Sequence, residues 1–219
     1  MSYQFFDYFD SADESNEPCN WTVLNNSDLP HKHRSWEAGK YVITAPGNRH
    51  LPNTPTLMEF TLEAAFTFND SVFENLTAVH PALRIFFYYD ERKRSGYFVD
   101  CRIEDNQCVV AFGHECISTV RVLEQKHAAL DAKPSGVLGS KLIVANGQAE
   151  LSFGSATFAF PLPDGDVKSG RIGFDRSQFL GVVELRKVKI SSPEKIVETE
   201  SCRKPKSSSL PISMVFTRH

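Results

Sequence analysis

Two neighbouring segments of the sequence alternate apolar side chains with charged and aromatic ones. Residues 82–89 and 96–104 both keep a period of two, which places alternate side chains on opposite faces of a β-strand. Aromatic rings stack on sugar rings, and guanidinium and carboxylate groups form hydrogen bonds with hydroxyl groups. The face opposite the apolar one therefore has the composition of a saccharide-binding surface. We predict that its ligand contacts are Arg84, Tyr88, Phe98, Asp100 and Arg102.

These two segments should form an antiparallel hairpin, because the short polar turn 90–96 joins them. Their polar faces then make one contiguous concave surface, on which the rings of Phe86 and Phe98 are expected to be exposed. The alternative is a solvated sheet face, in which Arg84 and Asp100 form an ordinary cross-strand pair. Exposed Phe86 and Phe98 favour the binding interpretation, since an exposed apolar patch often marks a binding site.

Two tryptophans supply a second set of candidate ligand contacts. Trp21 and Trp36 stand beside the polar stretches 25–28 and 31–34, where they would serve as sugar platforms at the rim of the fold. The alternative is that each ring packs beneath the edge of the sandwich. The sequence leaves both interpretations open.

Metal and cofactor chemistry has few candidates. Asp7, Asp10 and Asp175 stand at predicted strand ends, where their oxygens could hold a structural calcium ion. His31 and His33 alternate in a loop, but no third ligand is placed near them. The sequence also has no phosphate-binding loop and no nucleophile elbow. We therefore expect no cofactor, with structural calcium as the alternative.

The elements that must position these residues are almost all strands. Period-two patterning predicts strands over 39–44, 57–68, 82–89, 96–104, 107–112, 119–123, 140–145, 149–153, 156–160, 170–174 and 181–190. Helical signal is limited to short stretches at 71–75 and 122–130. This pattern predicts an all-β fold, a two-sheet antiparallel jelly-roll sandwich.

Composition excludes several classes of protein. The 219 residues carry 24 Lys and Arg against 27 Asp and Glu, a formal charge of −3, so no nucleic-acid partner is expected. No apolar run is long enough to cross a membrane. The first residues lack a secretory signal, which predicts a cytoplasmic location for the chain as written and leaves the location of a fragment open. Five cysteines without a CxxC pair predict free thiols.

The sandwich should occupy residues 1–190. Residues 191–219 begin with a polar run rich in Ser, Lys and Pro, which is typical of a linker. Residues 210–216 then become apolar again. We interpret 191–219 as a linker that begins a following domain, or as the source of an extra edge strand.

A characteristic order of motifs runs along the predicted sandwich. Its members are the aromatic and acidic opening 5–10, the segment 36–43, the long strand 60–68, the segment 141–147 and the strand 170–174. This order resembles the concanavalin A-like lectin and glucanase superfamily, in its laminin G-like branch, over residues 5–190. The resemblance implies two curved antiparallel sheets. Relatives include lectins, carbohydrate-binding modules and glycosidases, which commonly use the concave sheet or the rim loops.

The same resemblance draws attention to Glu59 and Glu63. Retaining glucanases of the superfamily carry a Glu-x-Asp-x-Glu motif on one strand face, where the two glutamates act as nucleophile and as acid/base. Here Thr61 stands at the position of the Asp that orients the nucleophile, so the motif is incomplete. Glu59 and Glu63 remain the candidates for catalysis.

These observations together predict a non-catalytic carbohydrate-binding sandwich with a saccharide ligand. We expect it to be an accessory module of a larger glycan-active protein that has further domains. A glycoside hydrolase that uses carboxylates on the concave face is the first alternative. A structural or protein-interaction domain is the second.

Overall fold

The structure is a computed structural model that describes residues 2–10, 20–25, 34–37, 39–44, 48–69, 82–104, 107–117, 119–130, 136–164, 168–176 and 182–193. Within these ranges the chain forms strands joined by turns and bends. No helix in these ranges is long and apolar enough to cross a membrane.

Fifteen strands follow one another along the described part of the chain. They are β1 (Tyr3–Asp7), β2 (Trp21–Asn25), β3 (Arg34–Glu37), β4 (Lys40–Ile43), β5 (Asn48–Pro52), β6 (Phe60–Asn69), β7 (Ala82–Asp90), β8 (Ser95–Glu104), β9 (Gln107–Cys116), β10 (Thr119–Ala129), β11 (Leu138–Ala145), β12 (Gln148–Phe153), β13 (Ala156–Pro161), β14 (Arg171–Arg176) and β15 (Val182–Ser192).

The strands form two sheets with antiparallel neighbours. The first sheet has the order β13-β12-β11-β6-β15-β4-β3, and β1 also pairs with β15. The second has the order β10-β9-β8-β7-β14-β5-β2. Neighbours distant in sequence, such as β6 with β15 and β7 with β14, require the chain to cross between the sheets, as in a jelly roll. The predicted two-sheet antiparallel sandwich is confirmed.

Apolar side chains from both sheets fill the space between them. On β6 and β7 the inward residues are those that the sequence pattern predicted, namely Phe60, Leu62, Ala64, Phe66, Leu83, Ile85 and Phe87. Burying one such aliphatic or aromatic side chain stabilises the fold by about 1.5–3 kcal/mol. The period-two pattern therefore identified the core face of β6, and that of β7 as far as Phe87, correctly.

Strand β10 occupies the stretch where 122–130 was predicted to hold a short helix. It pairs with β9 from Thr119, opposite Cys116, to Ala129, opposite Gln107. The hydrogen-bond ladder along β9 outweighs the modest helix propensity of this segment, so that prediction is wrong. The helical stretch predicted at 71–75 lies outside the described residues.

The three described cysteines are free thiols. Cys101 and Cys108 are buried in the main core, and Cys116 is exposed at the end of β9. Burial raises the pKa of the Cys101 thiol well above its usual value, with a further contribution from the charge of Asp100. The thiol is therefore held in its unreactive protonated form. Cys19 and Cys202 lie outside the described residues.

The second sheet is buried on both of its faces at its centre. Every residue of β7 from Ala82 to Tyr89 is buried, although only part of them can face the other sheet. Leu51, Phe86, Tyr89 and Phe98 form a separate apolar cluster on the far side, with Leu24 packed against it. This far side is the face that the sequence assigned to ligand contacts.

Gly113 on β9 is required by the close approach of Phe98. A Cβ added there would lie 2.3 Å from Phe98 Cζ and 2.5 Å from the carbonyl oxygen of Arg121. We expect Gly113→Ala to lower the free energy of unfolding by about 1–3 kcal/mol, because the ring and the β10 backbone must move. Gly139→Ala on β11 is the matched control, since its Cβ would meet nothing within 4 Å. Urea denaturation that gave both variants the same stability would contradict this packing.

The domain boundary can be tested by truncation. Strand β15 pairs with β1 as far as Ser192, opposite Tyr3. We expect a chain that ends after Pro193 to keep its cooperative thermal transition, because all fifteen described strands lie before that point. Circular dichroism and thermal melting of the truncated and full chains check this. A melting temperature lowered by about 2–4 °C or more, equivalent to the loss of about 1 kcal/mol or more in a domain of this size, would assign residues 194–219 to the sandwich.

Candidate functional site

A buried ion pair joins two central strands of the second sheet. Arg84 on β7 and Asp100 on β8 are direct cross-strand neighbours. Arg84 donates from Nε and Nη2 to the two carboxylate oxygens of Asp100, both at 2.6 Å. Their side chains are only 9% and 6% exposed. The cross-strand pair that the sequence suggested is present, but it is buried and bidentate rather than solvated.

Arg49 extends this pair into a network. From β5 it donates through Nη1 to Asp175 on β14 and through Nη2 to Glu115 on β9. Arg84 Nη1 lies 3.6 Å from the second carboxylate oxygen of Glu115. Arg49, Arg84, Asp100, Glu115 and Asp175 together form what we call the charged array. Two guanidinium groups oppose three carboxylates, so the formal charge of the array is −1.

The contact between Arg49 and Glu115 requires a curved sheet. Three strands separate β5 from β9 in the sheet order. Adjacent strands lie about 4.7–4.9 Å apart, so these two would be about 19 Å apart in a flat sheet. Two side chains extended towards each other do not bridge that distance. The second sheet therefore bends towards the array, and its outer face is concave.

Two phenylalanine rings lie against the guanidinium groups. Arg49 Cζ is 4.1 Å from the ring centroid of Phe86, and Arg84 Cζ is 4.0 Å from that of Phe98. Both rings are fully buried, so the prediction that Phe86 and Phe98 are exposed is wrong. Cation–π contacts of this kind stabilise by about 0.5–2 kcal/mol each and orient the guanidinium planes. They hold the donors of the array in fixed directions.

The electrostatics of Arg84 reflect its three acidic neighbours. Burial alone lowers the pKa of its guanidinium, but the hydrogen bonds and charge of Asp100 oppose this effect. The charges of Asp175 and Glu115 add to that opposition, and the pKa of Arg84 is raised above its ordinary value. Arg84 is thus charged at every physiological pH.

Two atoms of the array retain unused hydrogen-bonding capacity. Arg49 Nε, a donor, and Glu115 Oε2, an acceptor, are buried and have no hydrogen-bond partner among the described residues. They belong to the two partners of one ion pair. A hydroxyl group can accept from one such atom and donate to the other. The array therefore offers a donor and an acceptor suited to a hydroxyl-bearing ligand or a water molecule.

Strand β10 forms the exposed edge of the same concave face. Gln125 lies opposite Ala111 of β9, which in turn lies opposite Asp100, and directly opposed residues share a face. Val122 and His127 share that face with Gln125, and all three are exposed. The Nε2 atoms of Gln125 and His127 are 3.0 Å apart. Accessible polar groups thus stand beside the buried array.

Arg102 keeps its predicted place on the concave face. It lies opposite Val109, which in turn lies opposite His127. Its side chain is 12% exposed, and its Nε donates to Glu104 at 3.0 Å. Arg84, Phe98, Asp100 and Arg102 are therefore brought to one face, as the sequence predicted.

Tyr88 does not lie on this face. Its φ is 53°, and the pairing of β7 with β8 shifts between Phe87 and Asp90. A bulge of this kind reverses the order of faces along a strand. Tyr88 consequently enters the main core, where its hydroxyl donates to the Met58 carbonyl oxygen at 2.5 Å. Tyr89 takes its place beside Phe86, so the predicted position of Tyr88 is wrong.

Trp21 belongs to the core rather than to the rim. It is 8% exposed, and its ring packs against Phe9, Tyr41 and Phe174. Its Nε1 donates to Asp7 Oδ2 at 2.7 Å. The expectation of an exposed sugar platform is therefore wrong for Trp21, because the first residue of β2 points inward. Trp36 lies on β3 opposite Tyr41, and its side chain is outside the described set.

The two glutamates considered for catalysis belong to the other side of the sandwich. Glu63 is on β6 in the first sheet, with its carboxylate 3.7 Å from Lys189 Nζ. Glu59 precedes β6 and accepts a hydrogen bond from the backbone N–H of Asn146 at 3.2 Å. Neither residue lies on the concave face, where the hydrolase alternative places its carboxylates.

The aspartates considered for calcium are dispersed. Asp7 accepts hydrogen bonds from the Phe9 backbone N–H and from Trp21, Asp10 is exposed, and Asp175 belongs to the array. Over the described ranges, no group of three or more His, Cys, Asp or Glu side chains could hold a metal ion. Structural calcium remains a prediction.

Sequence analysis missed two members of the array. Arg49 lies on β5, whose polar sequence Asn-Arg-His-Leu-Pro carries no period-two signal. Glu115 follows Phe112, where the predicted strand ended, yet the alternation continues through Gly113 to Glu115 on one face. Extending that alternation by two steps would have included Glu115.

Solved structures share this fold at very low sequence identity. One is the CBM2 module of the evolved Dit of Lactobacillus casei phage J-1, with a TM-score of 0.61 and 8% identity over 87% of this chain and 96% of that chain. Another is laminarinase from a Flavobacterium species, with a TM-score of 0.58 and 11% identity over 85% and 98%. A third is xylan β-1,4-xylosidase from Bacillus halodurans, with a TM-score of 0.57 and 11% identity over 85% of this chain and 39% of that one.

No protein-family model matches the chain, and no curated protein sequence matches it either. Identities this low establish the fold alone. The chain has the concanavalin A-like jelly-roll fold, as the order of its motifs predicted. Carbohydrate-binding modules, lectins and glucanases share that fold.

The energetic coupling within the array can be measured by a double-mutant cycle. Arg84→Met changes the formal charge of the array from −1 to −2 and leaves Asp100 buried without its bidentate partner. We expect this variant to lose about 3–5 kcal/mol of unfolding free energy. The double variant Arg84→Met with Asp100→Leu restores a charge of −1 and should be less destabilised than the sum of the single variants. Urea denaturation at constant pH measures all four species, and strict additivity would contradict a coupled pair.

Proposed function

We propose that this domain is a non-catalytic saccharide-binding module whose ligand lies on the concave face of the second sheet. The observation that carries the proposal is that two buried atoms of the charged array, Arg49 Nε and Glu115 Oε2, have no hydrogen-bond partner among the described residues. Each hydroxyl group of a sugar is both a donor and an acceptor, so sugar hydroxyls match the hydrogen-bonding capacity of both kinds of atom. Buried polar atoms without partners are costly, and a ligand that pairs with them gains affinity and selectivity.

The energetic cost of the array also supports a binding role. Five charged side chains are held at no more than 9% exposure. Buried ion networks of this type are often no more stabilising than well-packed apolar residues of similar volume. A fold that retains a buried ion network on its concave face has polar groups preorganised for a ligand.

Accessible groups at the edge of the face extend the proposed site. Gln125 and His127 on β10 are exposed and present amide and imidazole groups towards the same concavity. Arg102 adds a guanidinium group that is partly exposed. These side chains would contact the parts of a saccharide that lie beyond the buried array.

The carboxylates of the array favour binding over hydrolysis. Asp100, Glu115 and Asp175 are each engaged by a guanidinium group. A glycosidase needs one carboxylic acid that carries a proton and can deliver it to the leaving oxygen. Here the carboxylates accept hydrogen bonds from arginine, an arrangement that suits recognition of hydroxyl groups better than delivery of a proton.

We further propose that the domain acts as an accessory module of a longer glycan-active protein. In the xylosidase that shares the fold, the matching region is 39% of the chain. The same sandwich therefore occurs as one part of a longer enzyme.

A glycan array followed by calorimetric titration tests the proposed function. We expect binding of a saccharide, with no release of reducing ends from it in a parallel assay. Binding should persist in EDTA, whereas its loss would favour the structural calcium alternative. No binding to any neutral or acidic glycan, or steady release of reducing ends, would overturn the proposal.

The location of the site is tested with variants on β10. Gln125→Ala and His127→Ala each remove a hydrogen-bonding group of about 0.5–1.5 kcal/mol, so each should weaken binding several-fold. Arg121→Ala is the matched control, since Arg121 is exposed on the same strand but lies opposite His114 and points away from the concave face. Equal effects of all three substitutions would place the ligand elsewhere.

A further inference from the structure

Two aromatic rings are exposed on the outer face of the first sheet. Phe6 and Tyr8 at β1 are 45% and 49% exposed. Their rings are nearly parallel, with centroids 6.2 Å apart and planes inclined by 11°. The rings of the concave face are buried beneath arginines, whereas this pair is open to solvent. Exposed rings held in one orientation are typical of binding surfaces for sugars.

Two lysines on β15 stand beside these rings. Phe6 lies opposite Lys189 in the ladder between β1 and β15. Lys189 Nζ is 5.5 Å from the Phe6 ring centroid, and Lys187 Nζ is 5.4 Å from that of Tyr8. Cation–π attraction favours this arrangement. The aromatic pair and two positive charges therefore share one surface.

A shallow cavity of about 340 Å³ continues this surface across the sheet. Its floor includes Ala65 and Gly139, two small residues that lie opposite each other. Lys141, Lys187 and Glu63 line its sides. A Cβ added to Gly139 would meet nothing within 4 Å, so the floor has open space above it.

The charges around the cavity and the rings are unbalanced. We call the set formed by Phe6, Tyr8, Glu63, Lys141, Lys187 and Lys189 the outer patch. The outer patch contains three ammonium groups and one carboxylate, that of Glu63, which is 3.7 Å from Lys189 Nζ. The patch has a formal charge of +2, although the whole chain has −3. This local excess attracts an anionic ligand.

We propose that the outer patch is a second binding site, which takes an anionic saccharide bearing carboxylate or sulfate groups. A sugar ring would lie against Phe6 and Tyr8, while its anionic groups pair with Lys187 and Lys141 at the cavity. Glu63 would accept a hydrogen bond from a sugar hydroxyl. The site is on the opposite sheet from the concave face and does not depend on the function proposed there.

Calorimetric titration of the full chain with defined oligosaccharides tests this site. The probes are a galacturonate hexasaccharide, its fully methyl-esterified neutral form, and a heparin hexasaccharide. We expect the neutral form to bind at least about tenfold more weakly than the galacturonate. Raising NaCl from about 50 mM to about 500 mM should weaken the anionic probes further, because exposed charges are screened. Because heparin carries sulfate as well as carboxylate groups, binding of heparin without binding of galacturonate would indicate sulfate recognition, and comparable binding of both would indicate carboxylate recognition.

Three variants locate the site. Phe6→Ala with Tyr8→Ala, and Lys187→Gln with Lys189→Gln, should each raise the Kd by about tenfold or more. Lys141→Gln is a single substitution at an exposed position, and it should also raise the Kd. It keeps the test valid if a double variant lowers the melting temperature. The matched control is Arg92→Gln with Lys93→Gln, which removes two exposed charges from the turn after β7 and should leave the Kd nearly unchanged.

Distinct results would overturn this proposal. They are no binding of either anionic probe, equal binding of the neutral ester, or equal loss of affinity in the control variant. If Gln125→Ala and His127→Ala abolish binding of the anionic probes while the outer-patch variants do not, the anionic ligand belongs to the concave face instead. Failure of the concave-face variants to affect a neutral glycan would overturn only the earlier proposal.

Discussion

Arg49 connects parts of the second sheet that lie far apart in a flat arrangement. Its Nη1 group donates to Asp175 on the neighbouring strand β14. Its Nη2 group donates to Glu115 on β9, which three strands separate from β5. The same side chain lies against the ring of Phe86. Because each of its partners is buried, removal of Arg49 would take a hydrogen-bonded counter-charge from both Asp175 and Glu115. This one guanidinium group therefore links β14 to β9 across the concave face, a contact that only a curved sheet allows.

Burial of both faces explains the close packing at the centre of the sheet. Phe98 fits because Gly113 lacks a side chain. The bulge at Tyr88 fits for the same reason at Gly170, where an added Cβ would lie 2.3 Å from the backbone carbonyl carbon of Tyr88. Each glycine provides space for a neighbour on one particular face. A side chain at Gly113 would therefore disturb Phe98 on the concave face, and one at Gly170 would disturb the backbone of the bulge.

The sequence predicts most strands of the sandwich because one face of each carries a regular apolar pattern. It does not predict β5, whose side chains are buried on both faces and include Arg49 and His50. It also places Tyr88 on the wrong face, since a bulge is set by tertiary contacts and by a local φ of 53°. The charged array joins residues up to 126 positions apart, such as Arg49 and Asp175, and period-two patterns carry no information about such pairs.

The two proposed binding faces differ in whether a ligand can reach their aromatic rings, and this difference decides which ligand chemistry each face suits. On the concave face Phe86 and Phe98 are covered by arginines, so hydrogen-bonding groups are what a ligand meets. On the outer patch Phe6 and Tyr8 are about half exposed, and the ammonium groups of Lys189 and Lys187 lie over their rings. The first arrangement suits the hydroxyl groups of a neutral sugar, and the second suits a sugar ring that carries negative charge. In the described part of the chain β1 pairs with β15 beside the main strand order, and Phe6 and the adjoining Tyr8 lie there, outside both apolar clusters.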